Sequence, residues 1–192
     1  MNYESEKLFC VGFVSFFPGE ELLNNCILLE KNNIPVFIYD NTPIDNINKD
    51  SLIDQIINMK NVTFIRSGKN MGLALGLQFL NELANENKFK YLLYLDQDTI
   101  LKNNITFLVE AINNSIKSFS SEVAIQYFVP IKIRKSNNVS LGPNSGSFFN
   151  IKVILKYKLI PREYFVEMID FKISYEIRRH GLKTLFIDMR EC

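Results

Sequence analysis

Apolar residues along this chain alternate between two rhythms. Phe9–Phe17, Pro35–Tyr39, Val62–Ile65 and Tyr91–Leu95 are nearly continuous apolar runs, the pattern of strands buried on both faces. Between them, apolar positions recur at helical spacing: Leu22, Leu23, Cys26 and Ile27 within Glu20–Lys31, then Leu52, Ile53, Ile56 and Ile57, then Leu73, Leu77, Leu80 and Ala84 within Leu73–Glu86. Ile105, Leu108, Val109, Ile112 and Ile116 mark a further amphipathic helix. The punctuation agrees with these assignments. Pro18-Gly19 stops the first strand, Asp40-Asn41-Thr42-Pro43 reads as the turn closing the second, and Gly68–Gly72 forms a loop after the third. Ser51 suits an N-cap. Strands alternating with helices predict right-handed βαβ units around a mostly parallel sheet.

The pattern changes after Ser120. Val123–Val129 reads as a strand, Lys135–Asn144 as a polar loop and Ser145–Asn150 as another strand with small residues at its entrance. Pro161–Phe165 is a turn. Ile169, Ile173 and Ile177 align on a helix ending near Gly181, and Thr184–Ile187 is a last short strand. The expected architecture is α/β: a Rossmann-like, mostly parallel central sheet with helices on both faces. A length of 192 residues suits one domain spanning residues 1–192.

Composition narrows the function classes. Apolar residues make up 47%, ordinary for a globular domain, and the net charge of +1 gives no reason to expect nucleic acid as a partner. Lys132, Arg134 and Lys135 form a small basic cluster that reads best as a solvated loop. Cys10, Cys26 and Cys192 have no zinc or redox spacing, and the first two read as small buried hydrophobes. The polar stretch Met1–Lys7 is unlike a signal peptide, and no apolar run reaches membrane-spanning length, so a cytoplasmic location is expected. His180, the lone histidine, precedes a helix-terminating glycine, where it complements the helix dipole.

In open α/β sheets, chemistry sits beyond the carboxyl ends of the strands. Asp40, Asn70 and Asp96 all fall on or just after such ends. Asp96-Gln97-Asp98 places two carboxylates directly after the most apolar strand. Such oxygen donors suit Mg²⁺ or Mn²⁺, above all an ion also held by substrate phosphates. The alternative is that Asp96 caps a turn and Asp98 is simply solvated. Asn70 and Gly72 open a helix whose first N–H groups suit an anion, or else Asn70 caps it and Gly72 makes the turn.

Taken in order, these segments resemble the inverting family 2 glycosyltransferases of the GT-A fold, within them the rhamnosyltransferase-like group. The resemblance rests on Val14-Ser15-Phe16-Phe17-Pro18, Phe37-Ile38-Tyr39-Asp40-Asn41, Asn70-Met71-Gly72-Leu73-Ala74, Asp96-Gln97-Asp98, Asn144–Asn150 and Phe165–Asp170 with Gly181 following. It implies a nucleotide-sugar-binding half over residues 1–100 and an acceptor-binding half over 101–192, the latter short for that family. It also implies a metal-dependent transfer of a sugar, first of all rhamnose from dTDP-rhamnose, to a cell-surface polysaccharide intermediate. Ser15, Asp40, Asn70, Gly72 and Asp96 would bind a dTDP- or UDP-linked donor, with Asp40 on the nucleobase. Asp98, with Asp96, would hold Mn²⁺ or Mg²⁺. Asp170 would be the general base, or alternatively a carboxylate stabilised by a helix N-terminus. Ser145, Gly146 and Glu167 would face a glycan or lipid-linked glycan acceptor, implying peripheral association with the inner face of the plasma membrane. The chain departs from the family at Phe17, a polar position there, and at Glu167. Lys172 and Glu176 stand where an acidic residue and an arginine are usual.

Two other readings stay open. A nucleotide-sugar-binding or partner-binding remnant would keep the fold without turnover. A haloacid-dehalogenase-type phosphatase would use Asp96 as nucleophile and Asp98 as acid/base, but three βα-like units precede the motif and no later Asp-Asp pair follows it.

Overall fold

The computed structural model describes residues 7–44, 51–102, 105–117, 119–129 and 145–188. The basic cluster at Lys132, Arg134 and Lys135, together with Asn144 and Cys192, lies outside them. Seven strands form one sheet: β1 (Lys7–Ser15), β2 (Val36–Pro43), β3 (Val62–Gly68), β4 (Phe89–Asp96), β5 (Val123–Val129), β6 (Ser147–Asn150) and β7 (Lys183–Asp188). Their order is β3-β2-β1-β4-β6-β5-β7. The first four strands pair in parallel, β6 runs antiparallel to both β4 and β5, and β7 returns parallel to β5.

Helices cover both faces, as the continuous apolar runs require. α1 (Glu20–Lys31), α2 (Ser51–Ile57) and α4 (Thr106–Ile116) bury Leu22, Cys26, Ile56 and Ile112 against Val11, Phe13, Leu93 and Leu95. On the other face α3 (Leu73–Glu86), α5 (Ile151–Tyr157) and α6 (Ile169–Arg179) bury Leu77, Leu80, Ile154 and Ile173 against Cys10, Leu92 and Tyr94. Neighbouring strand residues thus feed opposite cores, the period-two rule of a strand. Among the described residues no helix is long and apolar enough to cross a membrane.

Three details differ from the sequence reading. β2 does not turn at Asp40 but continues to Pro43, through a register irregularity against β3 between those two residues. β1 stops at Ser15, because Phe17 adopts φ 50°, outside any strand conformation. Ile151–Tyr157, which carries no periodicity long enough to read, is the helix α5. Asn150 Oδ1 caps it by accepting from Val153 N at 3.4 Å, and Lys158 ends it at φ 51°.

Candidate active site at the carboxyl edge of the sheet

The carboxyl ends of β1, β2 and β4 and the entrance of antiparallel β6 lie at one edge, gathering Ser15, Asp40, Asp96, Ser145 and Gly146. Asp40 is fully buried. Its Oδ1 accepts from Ser15 Oγ at 3.0 Å, Thr42 Oγ1 at 2.7 Å and Thr42 N at 3.2 Å, and its Oδ2 accepts from Arg66 Nε at 2.8 Å. Arg66 stands directly opposite Asp40 in the β2–β3 register. The carboxylate expected to face a nucleobase is therefore enclosed by the chain, and Arg66 is the group presented beside it. The guanidinium Nη2 is buried yet has no acceptor, an unmet donor of the kind that a ligand carbonyl can satisfy.

Asp96 and Asp98 occupy the turn after β4, closed by Thr99 N donating to the Asp96 carbonyl at 3.0 Å. From within the core, Tyr94 Oη donates to Asp96 Oδ1 at 2.8 Å, while Asp96 N donates to Ser145 Oγ at 3.0 Å. Ser145 Oγ in turn lies 3.1 Å from Thr99 Oγ1. Burial raises the Asp96 pKa above the ordinary carboxylate value; the Tyr94 hydrogen bond opposes this and the charge of Asp98 adds to it. The same surroundings, burial first, push the Tyr94 phenol well up, so it stays a hydrogen-bond donor. Asp98 is exposed and accepts no hydrogen bond from the described residues. Gln97 turns the other way and pins the β1–α1 loop, accepting from Phe16 N at 2.8 Å and donating to Phe16 O at 3.0 Å. Phe16 and Phe17 pack edge to face at 4.5 Å and stay largely exposed. Phe17 N donates to Thr42 Oγ1 at 2.8 Å, which anchors its backbone.

The loop before α3 is used structurally. Asn70 Oδ1 accepts from Gly72 N at 3.0 Å, and Asn41 accepts from Met71 N at 3.0 Å while donating to Gly72 O at 3.2 Å. The first helical N–H, that of Leu73, is not free for an anion: it donates to the Phe165 carbonyl at 2.6 Å. A chain carbonyl there supplies the negative dipole that the helix terminus attracts. Gly72, at φ 82° and ψ 169°, allows the approach, since a Cβ there would lie 2.5 Å from that carbonyl oxygen.

The Phe165 contact also brings the segment leading into α6 against the start of α3. Glu167 is exposed, Met168 adopts φ 63°, and Asp170 is half-buried in the first turn of α6, where its Oδ1 accepts from Phe171 N at 2.9 Å. The negative charge of Asp170 is felt at the Tyr127 hydroxyl, whose pKa is pushed up to about 12 by burial first and by Asp170 in addition. In register, Tyr127 pairs with Ser147 and Ser147 with Tyr94, so the strand carrying Tyr127 lies roughly 10 Å from the one carrying Asp96. Gly146, at φ 80°, joins these strands by donating to Tyr94 O at 2.9 Å and accepting from Phe128 N at 3.1 Å. Lys172 and Glu176, the two charge departures, meet each other at 2.7 Å one helical turn apart.

Residues that the sequence reading missed are the supporting ones: Arg66, Tyr94, Gln97, Thr42 and Asn41. Arg66 alone left a usable signal, as a cation at the end of a strand parallel to the one bearing Asp40.

No protein-family model matches the sequence, and no curated protein does. Among solved structures, the backbone is similar to that of GalNAc-T7 with UDP, GalNAc and Mn²⁺, at TM-score 0.67 and 14% identity over 95% of this chain and 42% of that one. The chain has a GT-A-like fold. S. aureus TarS superposes with TM-score 0.64 at 9% identity, over 94% of this chain and 35% of that one. Truncated TarS with UDP-GlcNAc superposes with TM-score 0.59 at 12% identity, over 88% of this chain and 54% of that one. A 4-diphosphocytidyl-2C-methyl-D-erythritol synthase gives 0.59 at 11% identity, over 96% and 90% of the two chains. The GT-A-like domain described here thus spans between 35% and 54% of the TarS and GalNAc-T7 chains.

Proposed function

We propose that this domain binds a nucleoside-diphosphate sugar along the carboxyl edge of its sheet and transfers the sugar, with inversion, to a glycan acceptor. The observation that carries this reading is the turn after β4, where Asp96 is held by Tyr94 and Ser145 while Asp98 is exposed beside it. A fixed carboxylate next to a free one suits a hard divalent cation shared with substrate phosphates. No group of three or more His, Cys, Asp or Glu side chains gathers into a metal site among the described residues. Mn²⁺ or Mg²⁺ would instead be held by Asp98 and Asp96, with phosphate oxygens completing the shell. When bound, the ion would neutralise charge on the departing diphosphate.

The chain's own groups would do the rest. Arg66 Nη2 would donate to a carbonyl of the base, with Asp40 and Ser15 holding the guanidinium in place. Phe16 and Phe17, anchored by Gln97 and Thr42, would flank the nucleoside. Asn70 and Gly72 would shape the loop beneath the diphosphate. Asp170 would accept the proton of the attacking hydroxyl, with Ser145, Gly146 and Glu167 on the acceptor side. A dTDP- or UDP-linked sugar, rhamnose first, and a lipid-linked polysaccharide intermediate at the inner face of the plasma membrane follow from the resemblance to rhamnosyltransferases.

Binding without transfer is the second reading. Within it, the enclosure of Asp40 and the occupied N–H of Leu73 favour a partner-binding remnant over a nucleotide-sugar-binding one, since both withdraw groups that a donor would use. Calorimetric titration of thymidine and uridine diphosphates and their sugars, with and without Mn²⁺, on the parent and on Asp98→Ala tests the site. Mn²⁺-dependent binding that disappears in the variant supports it, and product formation with a glycan acceptor then separates transfer from binding. Absence of binding to every nucleotide at millimolar concentration refutes the donor site.

A further inference from the structure

Between α3, α5 and α6 a cavity of about 730 Å³ opens beside the turn that joins α5 to α6, a size within the roughly 300–1,000 Å³ of small-ligand sites. Part of its lining is apolar, and Ile154, Leu159 and Ile160 are buried there. The turn forms because Lys158 ends α5 at φ 51°, after which Leu159 N donates back to Ile154 O at 3.1 Å. Arg162 then ties the turn to α3. Its Nε donates to Gln78 Oε1 at 2.7 Å and its Nη2 to Glu82 Oε1 at 3.4 Å. Gln78 Nε2 donates to the same Glu82 oxygen at 2.6 Å, so one wall of the cavity is a closed ring of polar groups.

A second wall is the flank of α6 that carries Lys172, Glu176 and Arg179. Glu176 is buried and accepts from Lys172 Nζ at 2.7 Å and from Arg179 Nη1 at 3.4 Å. Lys172 first, then Arg179 and His180, hold its carboxyl below the ordinary value against the opposing effect of burial, so it stays an acceptor. Lys158 and Glu163, both exposed, add one charge of each sign. Three carboxylates thus stand against four cations in the lining, and Glu82 and Glu176 already have theirs. A charged ligand would have to part such a pair. A hydroxyl group would not, because it donates to a carboxylate and accepts from a cation at once. Among the described residues Arg162 engages only Nε and Nη2, and Arg179 only Nη1, so guanidinium N–H groups remain for such a partner.

We propose that this cavity is a second glycan site, taking a neutral stretch of oligosaccharide whose hydroxyls meet the paired charges and whose C–H faces lie on the apolar lining. At 3.6 residues per turn, Lys172, Glu176 and Arg179 point roughly 120–180° away from Asp170 around α6. The cavity is therefore no extension of the acceptor position at Asp170 but lies on the other flank of the same helix, where it would hold a part of the glycan remote from the reacting end. The choice of a glycan among hydroxyl-rich ligands rests on the function proposed above; the neutrality of the ligand rests on the cavity alone.

The full chain, ¹⁵N-labelled and in EDTA without nucleotide, is titrated with maltotriose, cellotriose, chitotriose and a rhamnose trisaccharide, with trigalacturonic acid as the anionic comparator. At least one neutral trisaccharide should give saturable shifts of the Gln78 side-chain amide and the Arg162 Nε–H. Its affinity should change less than about twofold as salt rises from about 0.05 to 0.3 M. Calorimetry should show a fall of about tenfold in Arg162→Ala and in Arg179→Ala, and none in Asp170→Asn. Both arginines are largely exposed, and circular dichroism verifies that the variants keep their fold. Absence of saturable binding by every neutral trisaccharide up to roughly 10 mM would overturn the proposal, as would tighter binding of trigalacturonic acid. Binding that survives both arginine variants but is lost in Asp170→Asn would assign the glycan to the acceptor position and overturn it too. None of these results reads Asp98 or a nucleotide, so a failure here is distinct from a failure of the donor site, which the Mn²⁺-dependent titration reports.

Discussion

Gly72→Ala should unlatch the contact between the start of α3 and the segment leading into α6. At φ 82° and ψ 169°, Gly72 occupies a backbone region that is essentially closed to residues with a side chain; holding an alanine there costs roughly 1–3 kcal/mol. The added methyl carbon would also lie 2.5 Å from Phe165 O and 2.7 Å from Phe165 Cδ2. The ring can turn aside, but the carbonyl cannot yield without lengthening the 2.6 Å hydrogen bond from Leu73 N, which contributes about 1 kcal/mol. Alanine recovers about half a kcal/mol by restricting the unfolded chain, leaving a net loss of about 2–3 kcal/mol. Urea unfolding followed by circular dichroism measures this directly. Limited trypsin digestion locates it, because Arg162 and Lys172 bracket the displaced segment and cleavage there should accelerate more than cleavage elsewhere. A loss below about 1 kcal/mol with an unchanged digestion pattern would refute the argument, since the loop would then have moved aside without cost. Sugar transfer, if present in the parent, should fall with the latch, because the same segment leads to Asp170.

Tyr94→Phe keeps the buried ring and removes the 2.8 Å donor to Asp96. Mn²⁺-dependent nucleotide binding should weaken about five- to tenfold in calorimetry, with little change in thermal stability. Because the Asp96 pKa is raised by burial, the folded protein holds that proton more readily than the unfolded chain does. Its contribution to stability therefore diminishes as pH rises through the folded value. Mn²⁺ binding, which needs the carboxylate, diminishes as pH falls through the same value. Paramagnetic relaxation titrations from neutral pH downward should show affinity failing earlier than for an ordinary carboxylate, and Asp96→Asn should flatten the profile. Arg66→Ala leaves the carboxylate of Asp40 buried without its cation and should cost about 2–3 kcal/mol, less than for a fully buried pair because Arg66 is partly exposed. Asp40→Asn/Arg66→Ala should cost less than the sum of the single variants, as a double-mutant cycle would show.

Much of this molecule was legible along the chain because burial is periodic. Runs such as Tyr91–Leu95 must have both faces covered, stripes such as Leu73, Leu77, Leu80 and Ala84 must face a sheet, and their alternation leaves few topologies besides a parallel core. The same logic put Asp40, Asn70 and Asp96 near the chemically useful end before any contact was known. What periodicity does not encode is which distant group meets which. The antiparallel β6, the Arg66 guanidinium on Asp40, the Ser145 hydroxyl on Asp96 and the Phe165 carbonyl on Leu73 all depend on where the chain returns. Each is a pairing between side chains or backbone groups that no local spacing relates. Asp40 and Asp98 show the difference most clearly. Both are aspartates near the carboxyl end of an apolar strand, yet packing surrounds one with donors and leaves the other exposed at the edge. Residue type and position made each a candidate for ligand chemistry; the three-dimensional arrangement of neighbours, through burial and hydrogen bonding, set which one is available to a ligand.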